Sequence, residues 1–340
     1  MSKKKYRVCT VKFNNLPKIE LHIHLDCSLS YETVKRLRPE TSIDEFNNNF
    51  KAGKSCSSLK QYIKCADNAI SLMQSKESLE LVMEDFFNQL IEDNVIYCEI
   101  RFAPLLHIEK GLSSREVVNI LCNKMNTLSK ETGIITGLIL CTLRHYSKSQ
   151  SMETVKLVNE FYDNGVVGFD IAADEAGFPL DNHISAFEYA HQYKLNCTAH
   201  AGEAKGAESV WETINKLKTK RIGHGVRSIE DDKLIDFLLD NNHHLEVCPT
   251  SNIKTKTFES LEEHPVDKLY KRNVSLSINS DGRTISDVNL NEEYYKLSNL
   301  FDWSVQDLKQ CNLNAIDHAF TSDENKTLLR QKINRAYKAL

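Results

Sequence analysis

Four short runs of the chain carry side chains that bind metals or move protons: His22-Ile23-His24-Leu25-Asp26, Thr198-Ala199-His200-Ala201-Gly202-Glu203, Gly223-His224-Gly225 and Asn279-Ser280-Asp281-Gly282. In an extended strand His22 and His24 point to one side, roughly 7 Å apart at Cα, so both imidazoles can reach one ion. Taken singly, each run has an ordinary explanation. A lone histidine is usually a hydrogen-bonded structural residue, and Ser280-Asp281-Gly282 reads as a turn. Together the runs supply four imidazoles and three carboxylates, and three imidazoles with one carboxylate and a water form a shell that suits zinc. His22, His24, His200 and Asp281 are therefore the expected ligands of one zinc ion (Zn2+) per chain. His224 is then close enough to orient or deprotonate the water. A second metal bridged by a carbamylated lysine would need that lysine at the tip of the fourth strand, where Ala172-Ala173-Asp174 stands.

This chemistry requires elements that bring the four runs to one place. Short apolar, β-branched runs recur at 18–24, 95–103, 135–143, 166–173, 195–200, 221–224, 244–248 and 274–279. Amphipathic stretches at 78–93, 114–132, 152–164, 207–218 and 231–241 lie between them. Near-continuous apolar strands alternating with helices predict a parallel sheet covered by helices. Eight such units point to a closed α/β fold, a (β/α)8 TIM barrel. An open doubly wound sheet would carry a glycine-rich turn after its first strand, and none is present. In a barrel the active site forms at the C-terminal strand ends, where all four runs fall. The connection 25–94 is the longest and must hold extra helices, with a lid expected within 50–80. Leu59, Tyr62 and Ile63 share one helical face there and are expected to overhang the metal, ordinary core packing being the alternative.

The remaining sequence sets bounds. Residues 1–340 read as one barrel domain, with 41% hydrophobic residues and a net charge of −4. That balance argues against a nucleic-acid partner. The one basic cluster, Lys3-Lys4-Lys5 with Arg7, reads as a solvated tail. No run approaches the ~20 apolar residues of a membrane helix, and no apolar signal region follows the N-terminal charges. Ten scattered cysteines without a C-x-x-C pair fit a reduced, cytoplasmic setting better than a disulfide framework.

The runs Pro17-Lys-Ile-Glu-Leu-His-Ile-His-Leu-Asp26, His200-Ala-Gly-Glu203, Gly223-His-Gly225 and Ser277-Ile-Asn-Ser-Asp281 resemble the signatures of the adenosine deaminases within the amidohydrolase superfamily. Cys248-Pro-Thr-Ser-Asn252 and Arg283-Thr-Ile-Ser286 look like its bacterial branch. The resemblance implies zinc-dependent hydrolysis of adenosine, and of 2'-deoxyadenosine, to inosine-type products plus ammonia. It implies attack of a zinc-activated water at C6 of the purine, with Glu203 protonating N1 and with His224 and Asp281 handling the water's proton. It also implies that Asp26 holds a ribose hydroxyl and that the backbone near Ala173 and position 282 face the base. Three residues depart from the family pattern. Cys27 and Ala173 stand where glycine is common, and Gly282 stands where an aspartate or asparagine meets N7. That contact is expected to be lost, taken by water, or supplied by Arg283 or Ser286. These departures keep open another aminopurine substrate: adenine, a modified nucleoside or a futalosine-type intermediate. A non-catalytic purine-binding relative would have no use for Glu203. The H-x-E…P-C-x-x-C pattern of base-flipping deaminases is absent.

Overall fold

The computed structural model describes residues 13–53 and 56–338. The cluster Lys3-Lys4-Lys5 with Arg7, and Cys9, lie outside the described residues. Eight strands follow one another along the chain: β1 (Lys18–His24), β2 (Val95–Phe102), β3 (Ile135–Leu143), β4 (Val166–Ala172), β5 (Thr198–Ala201), β6 (Arg221–His224), β7 (His244–Val247) and β8 (Ser275–Ile278). They pair in parallel as β1-β2-β3-β4 and β5-β6-β7-β8. Two single bridges close the ring. Phe169 with Cys197 joins β4 to the chain entering β5, and Ile23 with Asp281 joins β1 to the exit of β8. At the second seam the His24 amide donates to Asp281 O at 2.9 Å and the Asp281 amide donates to His22 O at 3.1 Å. The bonds that close the (β/α)8 barrel therefore also set Asp281 beside both histidines.

The outer helices form where apolar residues recur at helical spacing behind a capping serine. In Ser114–Thr132 the buried residues Val117, Val118, Leu121, Cys122 and Met125 make one stripe. Ser113 and Glu116 satisfy the helix's first amides in a reciprocal capping box, and Gly133 ends it at φ 74°. The same chemistry moves two boundaries outward from the apolar pattern. Ser147 with Gln150 starts one helix at Lys148 instead of 152, and Ser75 with Ser78 starts another at Lys76 instead of 78. β5 begins at Thr198 rather than 195, because the Leu195 amide still bonds Ala190 O of the preceding helix.

The connection 25–94 contains the helices Tyr31–Leu37, Ile43–Asn49, Leu59–Lys64, Ala66–Leu72 and Lys76–Glu92. Tyr62 and Ala66 belong to a small apolar cluster with Ala52, Cys56 and Ile285, separate from the main core. Among the described residues no helix is long and apolar enough to cross a membrane. The nine described cysteines are all free.

Candidate active site

Inside the barrel, side chains bond between adjacent strands and across strands that are not neighbours in the sheet. Arg101 of β2 reaches Asp170 of β4 at 2.9 Å and Glu246 of β7 at 2.6 Å. Arg221 of β6 reaches Glu99 of β2 and Glu246, each at 2.6 Å. All five side chains are essentially fully buried. Burial would push the Glu246 carboxyl up, but the two guanidinium groups hold it well below the usual range. Glu246 Oε2 accepts from His22 Nδ1 at 2.9 Å, and Asp170 lies 3.1 Å from His200 Nδ1. Each carboxylate thus keeps the ring proton on Nδ1 and turns a bare Nε2 lone pair inward, an arrangement typical of metal-binding histidines.

The inward atoms converge. His24 Nε2 lies 3.3 Å from His200 Nε2. Asp281 Oδ1 lies 3.5 Å from His22 Nε2 and 3.4 Å from His24 Nε2. Ligand arms of 2.0–2.1 Å in a tetrahedron give edges of about 3.3–3.4 Å, so these spacings fit four donors around one ion. His22 Nε2 is buried without a hydrogen-bond partner, an orphan that a metal would satisfy. Burial lowers the His24 pKa to about 4, which keeps this imidazole neutral and able to donate its lone pair. The Asp281 carboxyl, which burial alone would raise, is held well below its usual range by the His22 contact and the neighbouring rings. His22, His224 and Cys248 also come together. Burial raises the Cys248 thiol well above its ordinary value, which leaves it a poor ligand. Gly223 makes room for the ring cluster: a Cβ there would lie 2.9 Å from His22 Cε1 and 3.2 Å from the His200 ring.

His224 and Glu203 stand beside this donor set. The Val266 amide donates to His264 Nδ1 at 3.1 Å, so the proton of a neutral His264 sits on Nε2 and points to Asn252 Oδ1, 3.1 Å away. The Asn252 amide nitrogen therefore faces His224 Nδ1 at 3.1 Å and Glu203 Oε1 at 3.4 Å. Burial holds His224 neutral. With Nδ1 accepting from Asn252, its proton must lie on Nε2, 3.5 Å from Glu203 Oε2. His224 in this state is a donor that can orient an incoming oxygen, and it has no free lone pair with which to act as a base. Burial, followed by the charges of Asp281 and Glu175, pushes the Glu203 carboxyl well above its usual range. A carboxyl raised in this way is suited to give a proton to a ring nitrogen. Its loop is anchored by Glu175, whose carboxylate accepts the amides of Gly202, Glu203, Ala204 and Lys205 at 2.6–3.1 Å.

A cavity of about 230 Å³ opens over these groups. Leu59, Tyr62 and Ile63 line it, as the spacing of that stripe predicts, together with Asp26, Ala173, Glu203, His224 and Asp281. Asp26 lies 3.5 Å from the Ala103 amide and 3.8 Å from His107 Nε2. Ala173 holds φ 79°, a left-handed conformation that suits the glycine of the family pattern better than alanine. His224 and Asp281 take φ 60° and 61°, so three strand-end residues of the site share this strained region. Gly282 is not on the cavity wall, where Cys27 is found instead. Arg283 turns away to pair with Glu20 and Asp93, each at 2.8 Å, and Ser286 Oγ is 2.7 Å from Tyr62 Oη. The sequence reading missed Glu246, Asp170, Asn252, His264, Glu175 and the polar end of Tyr62. For the first two a signal exists, since each is a lone charge inside a buried strand.

A family model described as adenosine deaminase matches residues 17–336. Over 327 residues the chain is 36% identical to the adenosine deaminase of Clostridium acetobutylicum, spanning 94% of this chain and 98% of that protein. Among solved structures, the adenine deaminase of Arthrobacter aurescens matches with a TM-score of 0.88 at 23% identity, covering 95% of this chain and 99% of that one. The N6-mAMP deaminase of Arabidopsis matches with a TM-score of 0.85 at 26% identity, covering 96% and 99%. The Arthrobacter likeness supports the fold alone.

Proposed function

The chain belongs to the adenosine deaminase family of hydrolases, and from that membership we propose that it hydrolyses adenosine to inosine and ammonia, using one zinc ion held by His22, His24, His200 and Asp281. The supporting observation is the convergence of three imidazole nitrogens and Asp281 Oδ1 beside a buried Glu203, whose carboxyl is pushed above its usual range. A zinc ion so held supplies Lewis acidity, lowering the pKa of water toward neutrality so that it can attack C6 at ordinary pH.

The chain's own groups do the rest. Water adds across C6 and N1, and Glu203 gives its proton to N1 so that charge does not build up on the ring. His224 Nε2–H orients the attacking oxygen. Asp281 takes the first proton released and passes it to the 6-amino group, which leaves as ammonia. The second proton of the water returns to Glu203, and the ring is left as a lactam. Asp26 holds a ribose hydroxyl, while Leu59 and Ile63 on the lid exclude bulk water from the bound nucleoside. 2'-Deoxyadenosine fits the same contacts when Asp26 does not depend on the 2'-hydroxyl.

The lining of the cavity favours an uncharged nucleoside over a nucleotide. Among the described residues it contains no lysine or arginine, and Asp26 and Asp67 both face in. A 5'-phosphate dianion would lose its hydration and meet carboxylates. Ammonia release from adenosine, adenine, AMP and N6-methyl-AMP measures this. The expected kcat/KM for adenosine exceeds that for either nucleotide by at least about 100-fold, the equivalent of two lost charge-assisted contacts. A preference for AMP, N6-methyl-AMP or adenine would overturn the assignment.

A further inference from the structure

We propose that Tyr62 is a specificity-determining residue whose phenolic O–H donates a hydrogen bond to N7 of the bound purine. The inference rests on the aminopurine-nucleoside reading above. Among the described side chains that line the cavity, Tyr62 alone carries a hydroxyl. It arrives from the helix Leu59–Lys64 of the long connection, not from the barrel rim. Its oxygen occupies the space in front of Gly282: a Cβ built on that glycine would lie 2.9 Å from Tyr62 Oη and 2.8 Å from Cys27 Cβ. The bare residue at 282 and the two side chains that cover it form one packed unit, so the lack of a side chain there is matched by a hydroxyl brought from elsewhere.

The hydrogen-bond inventory leaves the phenolic proton underused. Ser251 Oγ already donates to Asp281 Oδ2 at 2.6 Å, whereas Tyr62 Oη approaches the same oxygen only to 3.4 Å. Ser286 Oγ, at 2.7 Å, can give its proton to the phenolic oxygen. The phenolic O–H can then turn toward an acceptor in the cavity at the cost of its long bond to Asp281 and its contact with Ser251. Arg283, the other neighbour with donors, is committed to Glu20 and Asp93.

Placement selects the acceptor. Glu203 enters beside His224 at the ends of β5 and β6, and Tyr62 enters beside Asp281 at the seam of β8 and β1. A purine with C6 over the metal donors has N1 on one flank of that carbon and N7 on the other. With N1 at Glu203, N7 falls on the side of Tyr62.

The test compares wild type and Tyr62→Phe on adenosine and on 7-deazaadenosine, which lacks the N7 acceptor. Phenylalanine keeps the ring that packs against Ala52, Cys56, Ala66 and Ile285, and circular dichroism with zinc content verifies an intact holoenzyme. Tyr62→Phe is expected to lower kcat/KM for adenosine by about tenfold or more while changing that for 7-deazaadenosine by less than about twofold. Equal losses on both compounds, or no loss on either, would overturn the inference and leave adenosine deamination standing. Wild-type enzyme inactive on both would overturn the substrate reading and the inference together.

Discussion

At neutral pH an exposed glutamate is ionised; burial first, and then the charges of Asp281 and Glu175, push the Glu203 carboxyl well above that ordinary range. The sign of the resulting pH dependence follows. On the proposed mechanism the protonated form is the active one, so activity is expected to fall as pH rises through that elevated pKa. Glu203→Gln keeps the size and removes the titrating proton. It is expected to lower kcat by on the order of 10² or more, to abolish that alkaline limb and to leave metal content unchanged. Near-normal turnover in Glu203→Gln would remove Glu203 from the reaction. Glu203 is singled out in the sequence through the resemblance of His200-Ala-Gly-Glu203 to the family pattern, whereas the part played by Asn252 and His264 is not legible there. Their effect on His224 depends on a chain of donors beginning at the Val266 amide, and no spacing rule encodes which tautomer a distant amide selects.

At the scale of elements, the strands were legible because β2 to β4 are long apolar runs and because the four strands after them end in recognisable residues. The helix starts were less so. Capping serines, not apolar periodicity, decide where the helices at Lys148 and Lys76 begin. The long first connection could be recognised by its length, and the stripe Leu59, Tyr62, Ile63 does reach the cavity. In that segment Tyr62 and Ala66 pack in a small cluster apart from the main core, which only Ala69 and Leu72 of residues 59–72 join. Few buried contacts imply low local stability, so residues 59–72 are expected to exchange their amide hydrogens faster than β1 to β8 and to slow by about tenfold when inosine is bound. Hydrogen exchange measured by mass spectrometry, with and without inosine, checks this. Exchange as slow as in the strands, or indifferent to the ligand, would mean that the stripe is fixed core and not a lid.

Across the whole molecule, the barrel interior carries ionic side chains where an apolar plug would be the simpler solution. Arg101 and Glu246 meet although 145 residues separate them. In the sequence Glu246 is an isolated charge in an apolar strand and Arg101 shares its strand with Glu99, and nothing local names the partner of either. Removing one member of such a pair strands the other in a dry interior, at a cost of about 3–5 kcal/mol. The layer has a use that offsets this hazard, since Glu246 and Asp170 orient the two rings above it. Fold, ion-pair layer and donor cluster therefore depend on one another, and the central claim is that they exist to hold one catalytic zinc. The most direct measurement is a zinc titration of metal-stripped protein, following ammonia release from adenosine together with bound metal, for wild type and His200→Ala. The expected result is activity that rises linearly to a break at one zinc per wild-type chain, with neither tight binding nor turnover in His200→Ala. Full activity without metal, a break at two zinc ions per chain, or undiminished zinc binding in His200→Ala would contradict the account.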